Sequence, residues 1–134
     1  MTAAKEKCLC DSGEPMTACC GPLLSGERQA TTAQALMRSR YSAYATGNQK
    51  YLLDTWAPET RPPQLHLDDR QRWLGLKIRR VEAGTETCTH GLVEFVARYK
   101  IEGRGHRLHE ISNFRRAENG WLYVDGKIQQ NAVN

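Results

Sequence analysis

A cluster of cysteines near the N-terminus constrains this chain more than any other feature. Four of the five cysteines lie within thirteen residues, at Cys8, Cys10, Cys19 and Cys20. Structural zinc sites take four ligands in a tetrahedron, and four thiolates complete that coordination without leaving a position for a catalytic water. We therefore predict a structural zinc site formed by these four side chains.

Disulfides, a redox dithiol or packed free thiols are the alternatives to a metal site. The N-terminal residues MTAAKEK lack the apolar run of a signal peptide, and the number of cysteines is odd. The C-x-x-C spacing of redox pairs is absent. These observations favour a cytoplasmic protein with reduced thiols, in which clustered cysteines usually bind metal. No apolar stretch approaches the ~20 residues that a membrane-spanning helix needs.

The residues between the cysteines predict how the chain could bring them together. Asp11-Ser12-Gly13 favours a sharp turn after the first pair. Cys19 and Cys20 are adjacent, so they can share one ion only if the backbone turns tightly there. Gly21-Pro22 follows at once and would end such a turn.

The spacing C-x-C-x-S-G-x5-C-C resembles the SEC-C motif, known as the zinc-binding tail of the SecA translocation ATPase. The further run GPLLSG…ALMRSRYSAYATG…YLLDTWAPETRP is similar to the bacterial YchJ family, and the resemblance extends from Cys8 to about Val124. It implies a zinc-binding segment and linker over residues 1–30 and a nuclear-transport-factor-two-like domain over residues 31–134. The family usually has Gly where this chain has Asp11, a residue type that tolerates left-handed backbone.

The periodicity of the remaining chain predicts helices first and strands afterwards. A helix capped by Thr31 or Thr32 should end at Gly47, a short helix should follow from Asn48, and one more turn should run from Asp68 to Trp73. From residue 74 apolar residues alternate with polar ones, and Gly103-Arg104 and Asn119-Gly120 are typical hairpin turns. We predict a cone-like α+β domain with N-terminal helices packed on a curved antiparallel sheet.

The hairpin register predicts a carboxylate on the apolar face of the sheet. A two-residue turn at Gly103-Arg104 would pair Ala97 with Glu110 and Phe95 with Ser112. A buried carboxylate needs a cation, a proton or a wet pocket. Two interpretations follow: an ion pair with an arginine that fixes helix against sheet, or a pocket carboxylate able to act as acid or base. The candidate pocket residues are Glu110, Ser112, Arg38, Arg40, Tyr44 and Trp56.

The opposite face of the sheet is predicted to be basic. Residues 70–116 contain eleven Lys or Arg and five Glu, an excess of +6 where the whole chain carries +4. The same register would set Lys100 opposite Arg107 and Arg98 opposite His109. A solvated face explains this pattern, and so does an anionic partner that relieves the repulsion.

These features favour a binding or adaptor module in which zinc stiffens a surface for a protein partner. One alternative is an enzyme of the isomerase, dehydratase or hydrolase type that uses Glu110, with Ser112 orienting the substrate. Its weakness is the lack of a second acid–base residue. Another alternative is nucleic-acid binding through the basic face, which lacks the interleaved aromatic residues of stacking platforms.

Overall fold

The computed structural model describes residues 6–129, and the α+β order predicted from the sequence is confirmed. Within this range a short 3-10 helix (Met16–Ala18) precedes three α-helices, α1 (Cys20–Leu24), α2 (Ala33–Thr46) and α3 (Gln49–Asp54). Four strands follow, β1 (Gln71–Ala83), β2 (His90–Ile101), β3 (Arg104–Ala117) and β4 (Gly120–Ile128). They form one antiparallel sheet in the order β1-β2-β3-β4.

The ends of α2 and α3 lie where local capping chemistry predicts them. The Thr32 side chain accepts a hydrogen bond from the Ala35 amide at 3.0 Å, and Gly47 ends α2 in the left-handed conformation. Asn48 caps α3 by accepting from the Tyr51 amide at 3.0 Å. Each cap satisfies a backbone group that would otherwise have no partner at the helix end.

Two local predictions are wrong. The turn predicted from Asp68 to Trp73 is not helical, because Asp68 accepts from the Arg70 amide and β1 begins at Gln71. The chain after the cysteines is also helical: α1 starts at Cys20 and continues through Gly21-Pro22, so this pair does not end the turn as predicted.

The β2–β3 hairpin turns one residue earlier than predicted, at Glu102-Gly103, so the predicted register is displaced by two residues. Phe95 lies opposite Glu110, and Arg98 lies opposite Arg107. Both turn residues have positive φ, 51° and 83°, as a two-residue hairpin of this kind requires. A shift of two residues leaves every side chain on its predicted face, so Glu110 and Ser112 still lie on the apolar side.

The β3–β4 hairpin also differs from its prediction. Ala117 pairs with Gly120, so the turn residues are Glu118 and Asn119. The register then shifts between Asn113 and Phe114, which marks a β-bulge.

The helices cover the inner face of the sheet. Leu36, Met37 and Tyr41 of α2 belong to one buried cluster that also contains residues from all four strands. Cys8, Cys10 and Cys20 belong to the same buried cluster, so the cysteine segment packs directly on the domain core. Within residues 6–129 no helix has the length and apolar character to cross a membrane.

Candidate metal centre and cavity

The four N-terminal cysteines converge in space. Their Sγ atoms all lie within 4.8 Å of one another, and Cys8, Cys10 and Cys20 are buried. Zinc–thiolate bonds of about 2.3 Å place the sulfurs of a tetrahedral site about 3.8 Å apart. The Cys10 and Cys19 sulfurs are already 3.6 Å apart. Four soft donors at this spacing fit a tetrahedral divalent ion.

The backbone around the cysteines explains how they meet. Asp11 and Gly13 both adopt positive φ, 63° and 89°, which reverses the chain after Cys10. The Cys8 amide donates to the Glu14 carbonyl at 2.8 Å and closes this loop. At Cys19 the backbone leaves both regular regions (φ −127°, ψ −102°), and this bend lets two adjacent side chains point to one place.

Hydrogen bonds among the thiols and their burial shift the pKa values of three of the cysteines. Hydrogen bonding from Cys20, against the opposing effect of burial, lowers the pKa of Cys10 to about 4. The hydrogen bond to Cys10 and burial raise the pKa of Cys20, and burial raises that of Cys19 to about 11. Metal ligation requires thiolates, so a bound cation would displace the protons that burial favours on Cys19 and Cys20.

Arg38, a candidate pocket residue from the sequence, lies beside this cluster instead. Its Nη1 donates to the Cys10 carbonyl at 2.8 Å and lies 3.8 Å from the Cys10 Sγ. Arg38 sits on α2, so the contact joins the cysteine loop to the longest helix. A guanidinium here offsets part of the negative charge of a four-thiolate site.

A separate cavity of about 330 Å³ opens between the helices and the inner face of the sheet. Of the other candidate pocket residues, Glu110, Ser112, Arg40 and Tyr44 line it, whereas Trp56 does not. Trp56 packs instead against the Arg40 guanidinium, whose Cζ is 5.0 Å from its ring centre. The remaining walls are mainly apolar or aromatic, including Tyr41, Trp73, Phe95 and Leu108.

Glu110 forms no ion pair with Arg38 or Arg40 among the described residues. Its Oε2 accepts from the Ser112 hydroxyl at 2.6 Å and, at 3.4 Å, from the Tyr123 hydroxyl. Gly126 of β4 lies directly beneath the carboxylate, and a Cβ there would overlap Glu110 Oε2. The carboxylate thus fits because β4 has no side chain at that position.

Arg40 is only 3% exposed and is held by neutral groups. Its Nη1 donates at 2.7 Å to both the Leu52 carbonyl and the Thr55 hydroxyl at the end of α3. Its Cζ also lies 4.6 Å from the centre of the Tyr123 ring. Burial lowers the pKa of Arg40, and nearby tyrosines and Glu110 partly offset that effect.

Tyr123 and Gly126 are site residues that the sequence analysis missed. Both lie on β4, where the bulge at Asn113/Phe114 shifts the pairing by one residue. The regular register predicted from the turn would have placed Asp125 opposite Phe114 on the Glu110 face. Asp125 instead pairs with Asn113 and accepts its side-chain hydrogen bond at 2.9 Å, on the outer face of the sheet.

Comparison with known proteins identifies the family. The family model described as the YchJ middle NTF2-like domain matches residues 32–126. A UPF0225 protein of Chromobacterium violaceum is 51% identical over 129 residues, which cover 93% of this chain and 95% of that protein. A UPF0225 protein of Streptomyces coelicolor is 46% identical, with 90% of this chain and 94% of the relative covered. The chain belongs to the YchJ family.

Solved structures agree with this assignment to the YchJ family. The solution structure of a SEC-C motif containing protein from Rhodopseudomonas palustris has a TM-score of 0.81 and 35% identity, covering 92% of this chain and 98% of that one. A SEC-C motif containing protein from Psychrobacter arcticus has a TM-score of 0.76 at 23% identity, covering 98% and 87% of the two chains. The second likeness supports the fold alone.

Asp11 occupies the position at which the resemblance to the YchJ family led us to expect a glycine. The Asp11 Oδ2 accepts from the Leu76 amide at 3.1 Å. This contact falls beside the β1 irregularity between Trp73 and Gly75, and a Cβ at Gly75 would lie 2.7 Å from the same oxygen. The side chain therefore joins the cysteine loop to β1, a contact that glycine could not make.

The outer face of the sheet carries a pair of like charges. The displaced register corrects the predicted pairs: Arg98 lies opposite Arg107, and His109 lies opposite Val96. His109 instead hydrogen-bonds the Glu94 carboxylate at 2.6 Å, which also binds Arg80. Neither Arg98 nor Arg107 forms an ion pair with a residue in the range 6–129, so this part of the face is basic.

Proposed function

We propose that this chain is a binding module whose N-terminal segment is held by a structural zinc ion on Cys8, Cys10, Cys19 and Cys20. The observation that carries the proposal is the convergence of four sulfurs within 4.8 Å in a largely buried setting. Four thiolates satisfy the coordination of zinc, so the ion supplies rigidity and charge compensation. The SEC-C motif of a close structural relative supports the same assignment.

The segment that zinc would fix offers one apolar side chain to a protein partner. Cys8 and Cys10 point inward, so the intervening Leu9 points outward and is 45% exposed. A loop without regular structure loses much conformational entropy when it binds. Holding the loop in place beforehand reduces that loss, which is how a structural ion would assist recognition.

The zinc proposal is tested by metal analysis of protein purified under reducing conditions without added metal. We expect one zinc per chain in the wild type and in Cys88→Ser, and loss of zinc in Cys10→Ser and Cys20→Ser. Cys88 is the matched control because it is the one cysteine outside the cluster. Metal-free wild type with five thiols that all react readily with an alkylating reagent would contradict the proposal.

An enzyme is the second candidate, favoured by the position of Glu110 in the cavity. A carboxylate that accepts a 2.6 Å hydrogen bond from Ser112 is oriented for proton transfer to a bound molecule. A carboxylate acid–base is one of the groups that isomerases, dehydratases and hydrolases use. Turnover of a co-purified small molecule that Glu110→Gln abolishes would support this candidate; a molecule released unchanged after prolonged incubation would not.

The Arg98–Arg107 pair favours an anionic partner on the outer face, nucleic acid included. Two cations opposite each other on a sheet repel, and a bound anion relieves that repulsion. Binding of single-stranded RNA should weaken with salt and be lost in Arg98→Glu. Binding that is independent of salt and of this variant would argue against it.

A further inference from the structure

The cavity is lined by the charged side chains of Arg40, Glu110 and Asp68, of which Asp68 is paired with Arg70. Arg40 and Glu110 both line it, yet they form no ion pair. Tyr123 lies between them: its ring centre is 4.6 Å from the Arg40 Cζ, and its hydroxyl is 3.4 Å from the Glu110 Oε2. The cation therefore lies over the ring of Tyr123, and the anion lies beside its hydroxyl.

Each of these groups uses only part of its hydrogen-bonding capacity within the protein. A guanidinium carries five N–H donors. Arg40 donates only through Nη1, and neither its Nε nor its Nη2 donates to any atom of residues 6–129. Glu110 accepts only at Oε2, and no hydrogen bond from the described part of the chain reaches its Oε1. Among the described residues only the Trp56 Nε1 is buried without a hydrogen-bond partner, so the free groups of Arg40 and Glu110 stay accessible at the cavity wall, where a ligand can accept from the guanidinium and donate to the carboxylate.

The charges restrict the chemistry of that ligand. A simple anion on Arg40 would be repelled by Glu110, and a simple cation on Glu110 would be repelled by Arg40. A molecule with an anionic group at one end and an ammonium group at the other satisfies both. The aromatic walls formed by Tyr41, Trp73 and Phe95 favour an apolar or aromatic substituent on the same molecule. A volume of about 330 Å³ limits it to a small metabolite.

We propose that the cavity binds a small zwitterion of the amino-acid type. Its carboxylate meets Arg40, its ammonium group meets Glu110, and its apolar side chain packs against Trp73 and Phe95. The cavity and the cysteine cluster share no lining residue, so this proposal is independent of the zinc site.

The proposal is tested on the wild-type protein as purified, with L-phenylalanine as the first probe, measured by calorimetric titration and by NMR shifts of cavity residues. Two analogues isolate the two charges: N-acetyl-L-phenylalanine lacks the ammonium group, and L-phenylalaninamide lacks the carboxylate. We expect each to bind on the order of tenfold more weakly, because each loses one charge-assisted hydrogen bond. The analogues test the Arg40 contact without altering Arg40, which also supports the end of α3.

Glu110→Gln tests the other contact, with Glu94→Gln as the matched control on the outer face of the sheet. In Glu110→Gln the preference for the free amine over the acetylated analogue should disappear, while Glu94→Gln should retain it. Equal affinity of the wild type for all three probes would overturn the proposal. So would the absence of binding by any of the standard amino acids at millimolar concentration to folded protein, or an unchanged preference in Glu110→Gln.

Discussion

Single residues decide how the cysteine loop is held on the domain. Arg38 and Asp11 each reach from one side of that loop to an element of the fold, α2 and β1 respectively. Neither contact can be inferred from sequence, because both join residues that are far apart in the chain. The spacing of the cysteines, in contrast, suffices to propose four ligands, since the donor type and number already match a tetrahedral ion.

Arg38→Met should weaken zinc binding. The variant removes the hydrogen bond to the Cys10 carbonyl and the positive charge beside the Cys10 sulfur. Loss of groups that orient a ligand from outside the coordination sphere typically lowers metal affinity by about 10–100-fold. Competition with a chromophoric chelator measures the effect, and Arg72→Met, at an exposed position of β1, is the control. Equal zinc affinity in the two variants would argue against a role for Arg38.

Asp11→Ala should destabilise the protein more than Asp11→Gly does. Both variants lose the hydrogen bond to the Leu76 amide, which is worth about 1 kcal/mol or more to a charged acceptor. Only glycine then relieves the left-handed backbone at φ 63°, where an alanine is strained by about 1 kcal/mol. Urea unfolding of the zinc-loaded variants measures the difference. Asp11→Gly proving the less stable of the two would contradict this account of the position.

At the scale of helices and strands, features that depend on neighbouring residues could be predicted, whereas features that depend on distant pairing could not. Thr32, Gly47 and Asn48 could be assigned as helix ends because a cap depends on residues within one turn. The face of Glu110 could also be predicted, since it depends only on the parity of the hairpin. The register itself could not, because a glutamate takes a positive-φ turn position that usually belongs to Asn or Gly. The bulge at Asn113/Phe114, which places Gly126 opposite Ser112 and moves Asp125 to the outer face, leaves no sequence signal.

Glu102→Asn should stabilise the β2–β3 hairpin. Asparagine adopts φ near 51° more readily than glutamate, and Asn-Gly is the preferred pair for this turn, so a gain of about 0.5–1 kcal/mol is expected. Glu102→Gln is the matched control, because it also loses the exposed ion pair to Arg70 but keeps the unfavourable residue type. Equal unfolding free energies for the two variants would show that the turn is not strained.

At the scale of the whole molecule, the division into residues 1–30 and 31–134 stays a prediction. The packing shows how closely the two ranges are in contact. Cys8, Cys10 and Cys20 share one buried cluster with Leu36 and Tyr41 of α2. The buried cysteines therefore pack against core residues of the domain. Most of the packing between the helices and the sheet does not involve the cysteines. This packing predicts partial coupling between metal binding and the stability of the domain.

Removing zinc should lower the melting temperature of the domain without unfolding it. An ion bound only to the folded state stabilises that state, and the shared cluster transmits the effect to α2. We expect a single calorimetric transition that moves down by about 5 °C or more on chelation, since 1 kcal/mol corresponds to several degrees in a domain of this size. An unchanged transition would mean that the two parts are independent; a missing one would mean that the domain cannot fold without metal.

The central claim is that four sulfurs near the N-terminus bind one zinc ion. X-ray absorption at the zinc edge of protein purified without added metal tests it most directly. The account predicts a single shell of four sulfur atoms at about 2.3 Å. A shell that contains nitrogen or oxygen ligands, or the absence of zinc from freshly isolated reduced protein, would contradict it.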